Sequence, residues 1–178
     1  MGILNKTRCY LVGHMQYAEP GGWREVIKNE LQDSNIIFYN PLDKPFISDI
    51  DETANSREFL NKKLEKGRFD YVYKHMSSIR RSDLNLVDRC DFVVAHIVPQ
   101  VASWGCAEEI VCANQMKKPI FISIEGGRHK VPLWLAGMLP PHYFFDNIEK
   151  IVDTIKEIDY GKRALDTDRW RLLKQDYR

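Results

Sequence analysis

Short apolar runs alternate along this chain with stretches in which apolar residues recur at helical spacing. Four of the runs predict β-strands, because each is short and closes on glycine, proline or a polar turn. They read TRCYLVG (7–13), NIIFYNPLD (35–43), CDFVVAHIV (90–98) and PIFISI (119–124). The third run is apolar almost throughout, which is typical of a central strand covered on both faces.

The segments between these runs predict helices, since their apolar residues fall three or four positions apart, as on one side of an amphipathic helix. The predicted helices span 23–32, 56–87, 104–116 and 145–158. The second is expected in two pieces broken near Gly67, and Asp146 is the expected N-cap of the last. Residues 44–55 are polar and show no period, so we interpret them as an excursion over the surface.

Alternating strands and helices predict an α/β domain with a parallel sheet and helices on both faces. A chain of 178 residues is most simply one domain, which we place over residues 1–178 with 160–178 as a C-terminal extension. Ligands of such folds bind beyond the carboxyl ends of the strands. We therefore expect the site among the loops that follow the four predicted strands: 13–22, 41–55, 98–104 and 125–132.

Composition and charge narrow the class of partner. Lys and Arg number 26 against 25 Asp and Glu, so no basic excess predicts a nucleic-acid polymer or a membrane as partner. The N-terminus lacks a long apolar run, and we expect neither a signal peptide nor a membrane span. The four cysteines form no C-x-x-C pair and lack histidines at metal-ligand spacing, which favours reduced, buried thiols in a cytoplasmic protein.

The stretch ASWGCAEEIVCANQMKKPI (102–120) carries the first candidate chemistry. Ser103 suits the N-cap of the predicted helix, and Gly105 permits close approach of a ligand or another backbone. Gly105 and Glu109 are about one turn apart and share a face, whereas Glu108 points about 100° away. Two interpretations follow: both glutamates are solvated partners of the helix dipole, or Glu109 takes part in chemistry.

Three further residues are candidates for the same crevice. Asp83 interrupts an apolar stripe of a predicted helix, where a carboxylate is costly unless it has a partner. It either pairs with Arg80 or Arg81, or acts as a partly buried acid that transfers a proton. Tyr10 lies near the end of the first strand, where a tyrosine is usually part of the core, and His14 lies on the first crevice loop.

Together and in this order, these pieces resemble the nucleoside 2-deoxyribosyltransferase family, including the related 2′-deoxynucleoside 5′-monophosphate N-glycosidases. The resemblance runs from about Arg8 to Ile155. YLVGHM resembles the family's Tyr-x-x-Gly start, FYNPLD its second strand, and SDLNLVDRCDFVVA its Asp-Leu helix leading into the central strand. SWGCAEEIVCANQMKKP resembles its Gly-x-x-x-Glu signature, closed by Lys-Pro. The resemblance implies a flavodoxin- or Rossmann-like three-layer sandwich with a five-stranded, mostly parallel sheet.

The resemblance also implies roles for single residues. It makes Glu109 the nucleophile, since this residue lies four after Gly105, and makes Glu108 a bystander. Asp83 matches the family's acid/base aspartate, and Tyr10 matches the tyrosine that orients the nucleophilic carboxylate. Substrate-binding residues are expected on the first crevice loop and at the start of the signature helix: Gly13, His14, Met15, Ser103 and Gly105.

The implied reaction breaks an N-glycosidic bond. Cleavage builds positive charge at C1′ of the sugar, which Glu109 stabilises and then captures while Asp83 protonates the departing base. An acceptor base then gives transfer and water gives hydrolysis, so the same residues serve a deoxyribosyltransferase or a monophosphate N-glycosidase. A non-catalytic nucleotide-binding sensor is the remaining alternative, and the joint presence of Tyr10, Asp83 and Glu109 argues against it.

The implied partners are small molecules: a nucleoside or nucleotide, and a free base. The resemblance implies no metal and no organic cofactor, because the carboxylates suffice for the chemistry. Family members are oligomers whose sites borrow residues across the interface, so at least a homodimer is expected.

Some positions depart from the family pattern. Ser103 stands where many transferases carry an aspartate, and where the monophosphate N-glycosidases carry a serine that helps bind the 5′-phosphate. That branch also places an arginine soon after the loop glycine, and here none occurs before Arg24. Pro132 stands where the family places an Asn or Ser contributed by the neighbouring subunit, and the loop KPFISD indicates no particular base.

Overall fold

The structure, a computed structural model, describes residues 2–14, 22–43, 54–101, 103–165 and 168–170. Met15, most of the loop 13–22 and nearly all of the surface excursion predicted at 44–55 lie outside the described residues. No helix within the described ranges is long and apolar enough to cross a membrane.

Five strands of the described ranges form one sheet, and all of their pairings are parallel. In chain order they are β1 (Arg8–Gly13), β2 (Ile37–Tyr39), β3 (Phe92–Ile97), β4 (Ile120–Ile124) and β5 (Phe144–Phe145). Their order across the sheet is β2-β1-β3-β4-β5. The four strands expected from the apolar runs are confirmed, whereas β5 escaped the sequence patterns because two residues show no period.

Helices cover both faces of the sheet, as predicted. They are α1 (Trp23–Glu30), α2 (Ala54–Glu65), α3 (Phe69–Arg89), α4 (Trp104–Gln115), α5 (Leu133–Met138) and α6 (Ile148–Asp159). The predicted break near Gly67 separates α2 from α3, and α3 packs on α2 and α4 while α1 packs on α6. The connections leaving β1 and β3 run in opposite directions, so right-handed crossovers put α1 and α4 on opposite faces. In this strand order, ligands bind at the carboxyl ends of β1 and β3, where the connections that leave these two strands run in opposite directions.

The central strand is buried as its apolar run predicts. Residues 92–95 are completely shielded from solvent, with helices on both sides. The tail returns to this core, because Trp170 is buried and its ring centre lies 5.5 Å from that of Phe92. The described part of the tail therefore packs on this chain's own sheet.

Two helix starts test the capping predictions. Ser103 caps α4 as expected, since its Oγ accepts a hydrogen bond from the Cys106 N–H at 3.4 Å. The prediction for the last helix is wrong by one residue: Asn147, and not Asp146, caps α6 and accepts a main-chain N–H at 3.0 Å. Asp146 instead accepts the N–H of Arg128 at 3.0 Å, a partner 18 residues away that no local pattern indicates.

Lys118 ties the end of α3 to the start of β4. Its Nζ donates to the carbonyl oxygens of Val87, Asp88 and Cys90 at 2.7, 2.6 and 2.5 Å. The last carbonyls of a helix lack intrahelical partners, and a cation there also meets the negative end of the helix dipole. The Lys-Pro that follows α4 thus fixes one end of the helix that carries Asp83.

Replacing Lys118 with methionine should lower the free energy of unfolding by about 2 kcal/mol, because three carbonyls lose a charged donor. Urea denaturation followed by circular dichroism measures the change. Lys117→Met is the matched control, since Lys117 is exposed and its loss should matter by less than about 0.5 kcal/mol. Equal losses in the two variants would contradict this role of Lys118.

Candidate active site

A tyrosine of β1 forms a hydrogen bond with a glutamate of α4, the helix that follows β3. The Tyr10 hydroxyl donates a hydrogen bond to Glu109 Oε1 at 2.9 Å and so joins β1 to α4 across 99 residues of sequence. Tyr10 is wholly buried and Glu109 is 8% exposed. Burial, and then the charge of Glu109, raises the pKa of Tyr10 far above its ordinary value. The phenol therefore stays protonated and remains a hydrogen-bond donor to the carboxylate.

Asp83 approaches the same pair from α3. The residue is half-buried, and its Oδ1 is shielded from solvent. Its charge also contributes to the raised pKa of Tyr10, after burial and the charge of Glu109. The packing of α3 on α4 thus places Asp83 within electrostatic reach of Tyr10, which is hydrogen-bonded to Glu109; the resemblance assigns catalytic roles to these three residues.

The two adjacent glutamates of α4 have different surroundings. Arg80 of α3 holds Glu108 through two guanidinium nitrogens, with Nε 2.8 Å from Oε2. This hydrogen bond lowers the pKa of Glu108, and the pair lies at the surface, where an ion pair contributes little stability. Arg80, one of the two partners considered for Asp83, is therefore engaged by Glu108. The two side chains lie on the helix faces expected from the sequence: Glu109 is buried, and Glu108 lies at the surface.

The N-terminus of α4 leaves room beside the glutamate. A Cβ added at Gly105 would meet no atom of the described residues within 4 Å. A cavity of about 190 Å³ lies between α4 and α5. It touches one face of α4 through Ser103, Cys106, Ala107 and Ile110.

The walls of this cavity are mostly apolar. Besides the α4 residues they comprise two histidines, His14 and His96, and a set from the ends of β3 and α5: Ile97, Val98, Pro99, Val101, Pro132, Trp134, Leu135 and Met138. No lysine or arginine stands among the described residues of the lining. Tyr10 and Glu109 are not part of the lining, although Cys106 and Ile110 on the same helix as Glu109 are. The cavity therefore lies next to the tyrosine–glutamate pair and does not contain it.

Two histidines stand where the cavity meets the ends of the strands. His14, the histidine singled out from the sequence, follows β1 directly, and His96 lies beside Gly13 in the sheet register. His96 was not indicated by the sequence, and its Nδ1 lies 3.3 Å from Ser123 Oγ. Burial lowers the pKa of both histidines, and the charge of Arg24 lowers both further. Both rings are consequently uncharged at neutral pH.

Arg24 also lies at the end of β1. The sequence did not indicate this, because Arg24 is 11 residues away from Gly13, the glycine of the first crevice loop. Arg24 is 5% exposed, and its Nη2 donates to the carbonyl oxygen of Gly13, 11 residues earlier, at 2.8 Å. Its guanidinium lies 4.5 Å from the ring centre of Trp23. A Cβ on Gly13 would come within 2.8 Å of Trp23, so glycine is needed where these side chains cross the end of β1.

The described residues offer two carboxylates in different surroundings, one buried and held by a phenol, the other half-buried on a neighbouring helix. Such a pair can stabilise a positive centre and deliver a proton. Within the described ranges, no group of three or more His, Cys, Asp or Glu side chains is placed to hold a metal ion. Met15 lies outside those ranges, and its role stays a prediction.

Comparison with known proteins adds to this picture at the level of the fold. No protein-family model matches the chain, and no curated protein matches it. The solved structure of the 2-deoxyribosyltransferase of Bacillus psychrosaccharolyticus does match, with a TM-score of 0.54 and 15% identity. The match covers 83% of this chain and 91% of that one.

Two further solved structures are similar. A conserved protein from Enterococcus faecalis V583 has a TM-score of 0.56 and 18% identity, over 85% of this chain and 98% of that one. The CMP N-glycosidase BcmB of Clostridium botulinum has a TM-score of 0.48 and 14% identity, over 84% of this chain and 98% of that one. The chain thus shares its fold with a 2-deoxyribosyltransferase, and the α/β fold implied by the sequence resemblance is confirmed.

Proposed function

We propose that this chain is an N-deoxyribosyltransferase acting on 2′-deoxynucleosides or deoxynucleotides. It cleaves the N-glycosidic bond through a covalent glycosyl-Glu109 intermediate and transfers the sugar to another base. The observation that carries the proposal is the buried hydrogen bond of 2.9 Å between Tyr10 of β1 and Glu109 of α4, the helix that follows β3. The fold shared with a 2-deoxyribosyltransferase supports the same class of reaction.

The proposed reaction has two steps. In the first, a Glu109 carboxylate oxygen bonds to C1′, the C1′–N bond breaks with its electron pair going to the base, and Asp83 gives that base a proton. In the second, a nitrogen of the acceptor base attacks C1′, the bond to Glu109 breaks, and the acceptor's proton passes to Asp83. Tyr10 orients the carboxylate throughout. A 2′-deoxy sugar suits this chemistry, because no 2′-oxygen withdraws electrons from the developing cation.

Ser103 and the cavity beside it are assigned to the 5′ end of the sugar. The apolar walls, with no lysine or arginine among the described lining residues, make burial of a phosphate dianion costly. Of the crevice-loop residues outside the described ranges, 15–21 and 102 contain no lysine or arginine, and 44–53 contain one lysine, Lys44. We therefore expect nucleosides to be better sugar donors than their 5′-monophosphates.

A second candidate is a 2′-deoxynucleoside 5′-monophosphate N-glycosidase, in which water attacks the same intermediate and free base is released. One observation favours it: Ser103 caps α4, so the N-terminus of this helix adjoins the cavity. Main-chain N–H groups and the positive end of a helix dipole attract phosphate. The two candidates differ in acceptor and in the charge of the donor, and not in the proposed roles of Glu109, Asp83 and Tyr10.

Apolar side chains near the cavity support a homo-oligomer, a dimer or higher. Trp104, Leu133 and Trp134 are 88%, 91% and 69% exposed on α4 and α5. Large exposed apolar surfaces usually mark interfaces. The proposed enzyme is one domain over residues 1–178 in the cytoplasm, and its chemistry needs neither metal nor organic cofactor.

Product analysis tests the proposed function. Each common 2′-deoxynucleoside and its 5′-monophosphate is incubated with the protein, with and without a second free base, and products are separated by chromatography. We expect a new deoxynucleoside only when the acceptor base is present, with no effect of a chelator. Ribonucleosides are the matched control donors and should react far more slowly, because the 2′-hydroxyl destabilises the cation.

The alternative outcomes are distinct. Free base formed without an acceptor, and only from monophosphates, would support the N-glycosidase instead. Tight binding of a nucleotide with no product from any donor would contradict both enzymes and leave the non-catalytic sensor.

A further inference from the structure

The cavity between α4 and α5 is larger than the group that a plain nucleoside would place in it. Its volume is about 190 Å³. A 5′-hydroxyl occupies about the space of one water molecule, roughly 30 Å³. By comparison, a cavity of about 150 Å³ with apolar walls holds a benzene molecule. A nucleoside with an unmodified 5′-hydroxyl would therefore leave most of this space to water.

The walls of the cavity offer such water few partners. Among the described side chains of the lining, the polar ones are a hydroxyl, a thiol and two imidazoles: Ser103, Cys106, His14 and His96. Two of them already bond within the protein, since Ser103 Oγ accepts the Cys106 N–H at 3.4 Å and His96 Nδ1 lies 3.3 Å from Ser123 Oγ. The other described lining residues are apolar, with no Asp, Glu, Lys or Arg among them. Water that has few partners is readily displaced by an apolar group.

The position of the cavity around α4 indicates which part of a substrate reaches it. Arg80 of α3 holds Glu108, which marks the α3 side of this helix, and Ile110 marks the cavity side. Successive helical residues turn by about 100°, so Glu109 points between these two sides. Asp83 lies on α3, so a base that it protonates departs on the α3 side. The base and the 5′ carbon are attached to the two ring carbons that flank the ring oxygen, and the 5′ group therefore extends towards the cavity.

A phosphate at the 5′ position suits these walls less than an apolar group does. A dianion loses hydration when apolar walls surround it, and no described lysine or arginine of the lining offsets that loss. The start of α4 supplies main-chain N–H groups, but Ser103 Oγ already accepts that of Cys106. An uncharged group instead gains about fourfold in affinity for each methylene that it buries.

We propose that this cavity is a binding site for an uncharged, apolar 5′ substituent, so that the preferred donors are 2′-deoxynucleosides whose 5′ carbon bears an alkylthio or phenylthio group. The assignment of the cavity to the 5′ end rests on the proposed function. The capacity of the cavity for an apolar group of about the size of benzene does not, because it follows from the volume and the lining alone.

The first test concerns the cavity alone and uses benzene as the probe. NMR spectra of protein with ¹³C-labelled methyl groups follow a benzene titration, and we expect saturable shifts at Ile97, Ile110 and Met138, which line the cavity. Ala107→Leu adds three carbon atoms to the lining and should weaken benzene binding by about tenfold or more. Ala136→Leu is the matched control, because it makes the same change at an exposed residue of α5 outside the described lining.

The second test compares donors that share one base and differ only at the 5′ carbon, which bears a hydroxyl, methylthio, propylthio, phenylthio or phosphate group. From hydroxyl to propylthio or phenylthio, kcat/KM should rise by about tenfold or more, and phosphate should give the poorest donor. Ala107→Leu should reduce this preference, whereas Ala136→Leu should keep it. Met138→Lys brings a cation to the cavity and should improve the phosphate donor relative to the phenylthio donor by about tenfold.

The outcomes separate this proposal from the proposed function. Methyl signals that benzene does not move would overturn the capacity of the cavity for an apolar group, whatever the activity. A wild type that prefers hydroxyl or phosphate to every apolar substituent, or an Ala107→Leu variant that loses the same factor for all donors, would overturn the assignment to the 5′ end. If no donor reacts, the proposed function fails, and the benzene titration still decides whether the cavity holds an apolar group.

Discussion

Replacing Glu109 with alanine should lower kcat/KM for glycosidic cleavage by about 10³-fold or more, because the covalent intermediate can no longer form. The loss should fall on kcat, since the carboxylate acts chiefly on the cation that develops at C1′. Chromatography of released base and new nucleoside measures it. Removal of the carboxylate also leaves the buried Tyr10 hydroxyl without this acceptor, at a cost of about 1–2 kcal/mol in stability.

Glu108→Ala is the matched control, because it makes the same chemical change one residue away on the same helix. Glu108 pairs with Arg80 at the surface, and a surface ion pair contributes only about 0–1 kcal/mol. We expect activity within about threefold of the wild type. Full activity in Glu109→Ala, or equal losses in the two variants, would contradict the assignment of the nucleophile. Circular dichroism shows whether each variant is folded.

Replacing Asp83 with asparagine should lower kcat/KM by about 10²- to 10⁴-fold, because an amide keeps the size of the carboxyl group and cannot give the departing base a proton. The loss should depend on the substrate. A donor whose base leaves readily as an anion needs little protonation and should be affected least. Rates for a series of donors, plotted against the basicity of the leaving base, measure this dependence.

Asp88→Asn is the control for Asp83, since Asp88 lies on the same helix with an exposed side chain and undergoes the same substitution. Its activity should match the wild type. An Asp83→Asn enzyme that loses the same factor for every leaving base would contradict proton transfer. In that case Asp83 would serve instead to place α3 or to hold the sugar.

Local patterns in the sequence were sufficient for much of the fold. The apolar runs located β1 to β4, because a short run between turn residues has few other stable conformations in a buried sheet. They were insufficient for β5, whose two phenylalanines form a strand only because β4 lies beside them. The same limit explains Asn147: capping depends on where the chain enters the helix, and Asp146 is drawn to Arg128 instead.

Part of the candidate site could also be predicted from the sequence. The helical period separated Glu109 from Glu108 before any contact was known, since adjacent helical residues point about 100° apart. The order of strands and helices indicated that Tyr10 and the start of α4 lie at the same end of the sheet. Both inferences depend on regular features of the chain: the constant angle between adjacent helical residues, and the alternation of strands with helices.

The tertiary structure alone decided which charges meet. Arg80 was a possible partner for Asp83, three residues away on one helix, and instead holds Glu108 on the next helix. Arg24 was too far along the chain to be connected with the loop glycine, yet it bonds the Gly13 carbonyl from the opposite face of the sheet. The reach of a long side chain depends on how helices pack and not on sequence spacing. The sequence therefore determined β1 to β4, the longer helices and the candidate carboxylates, whereas the packing determined β5, the short helix α5 and the partners of Arg80 and Arg24.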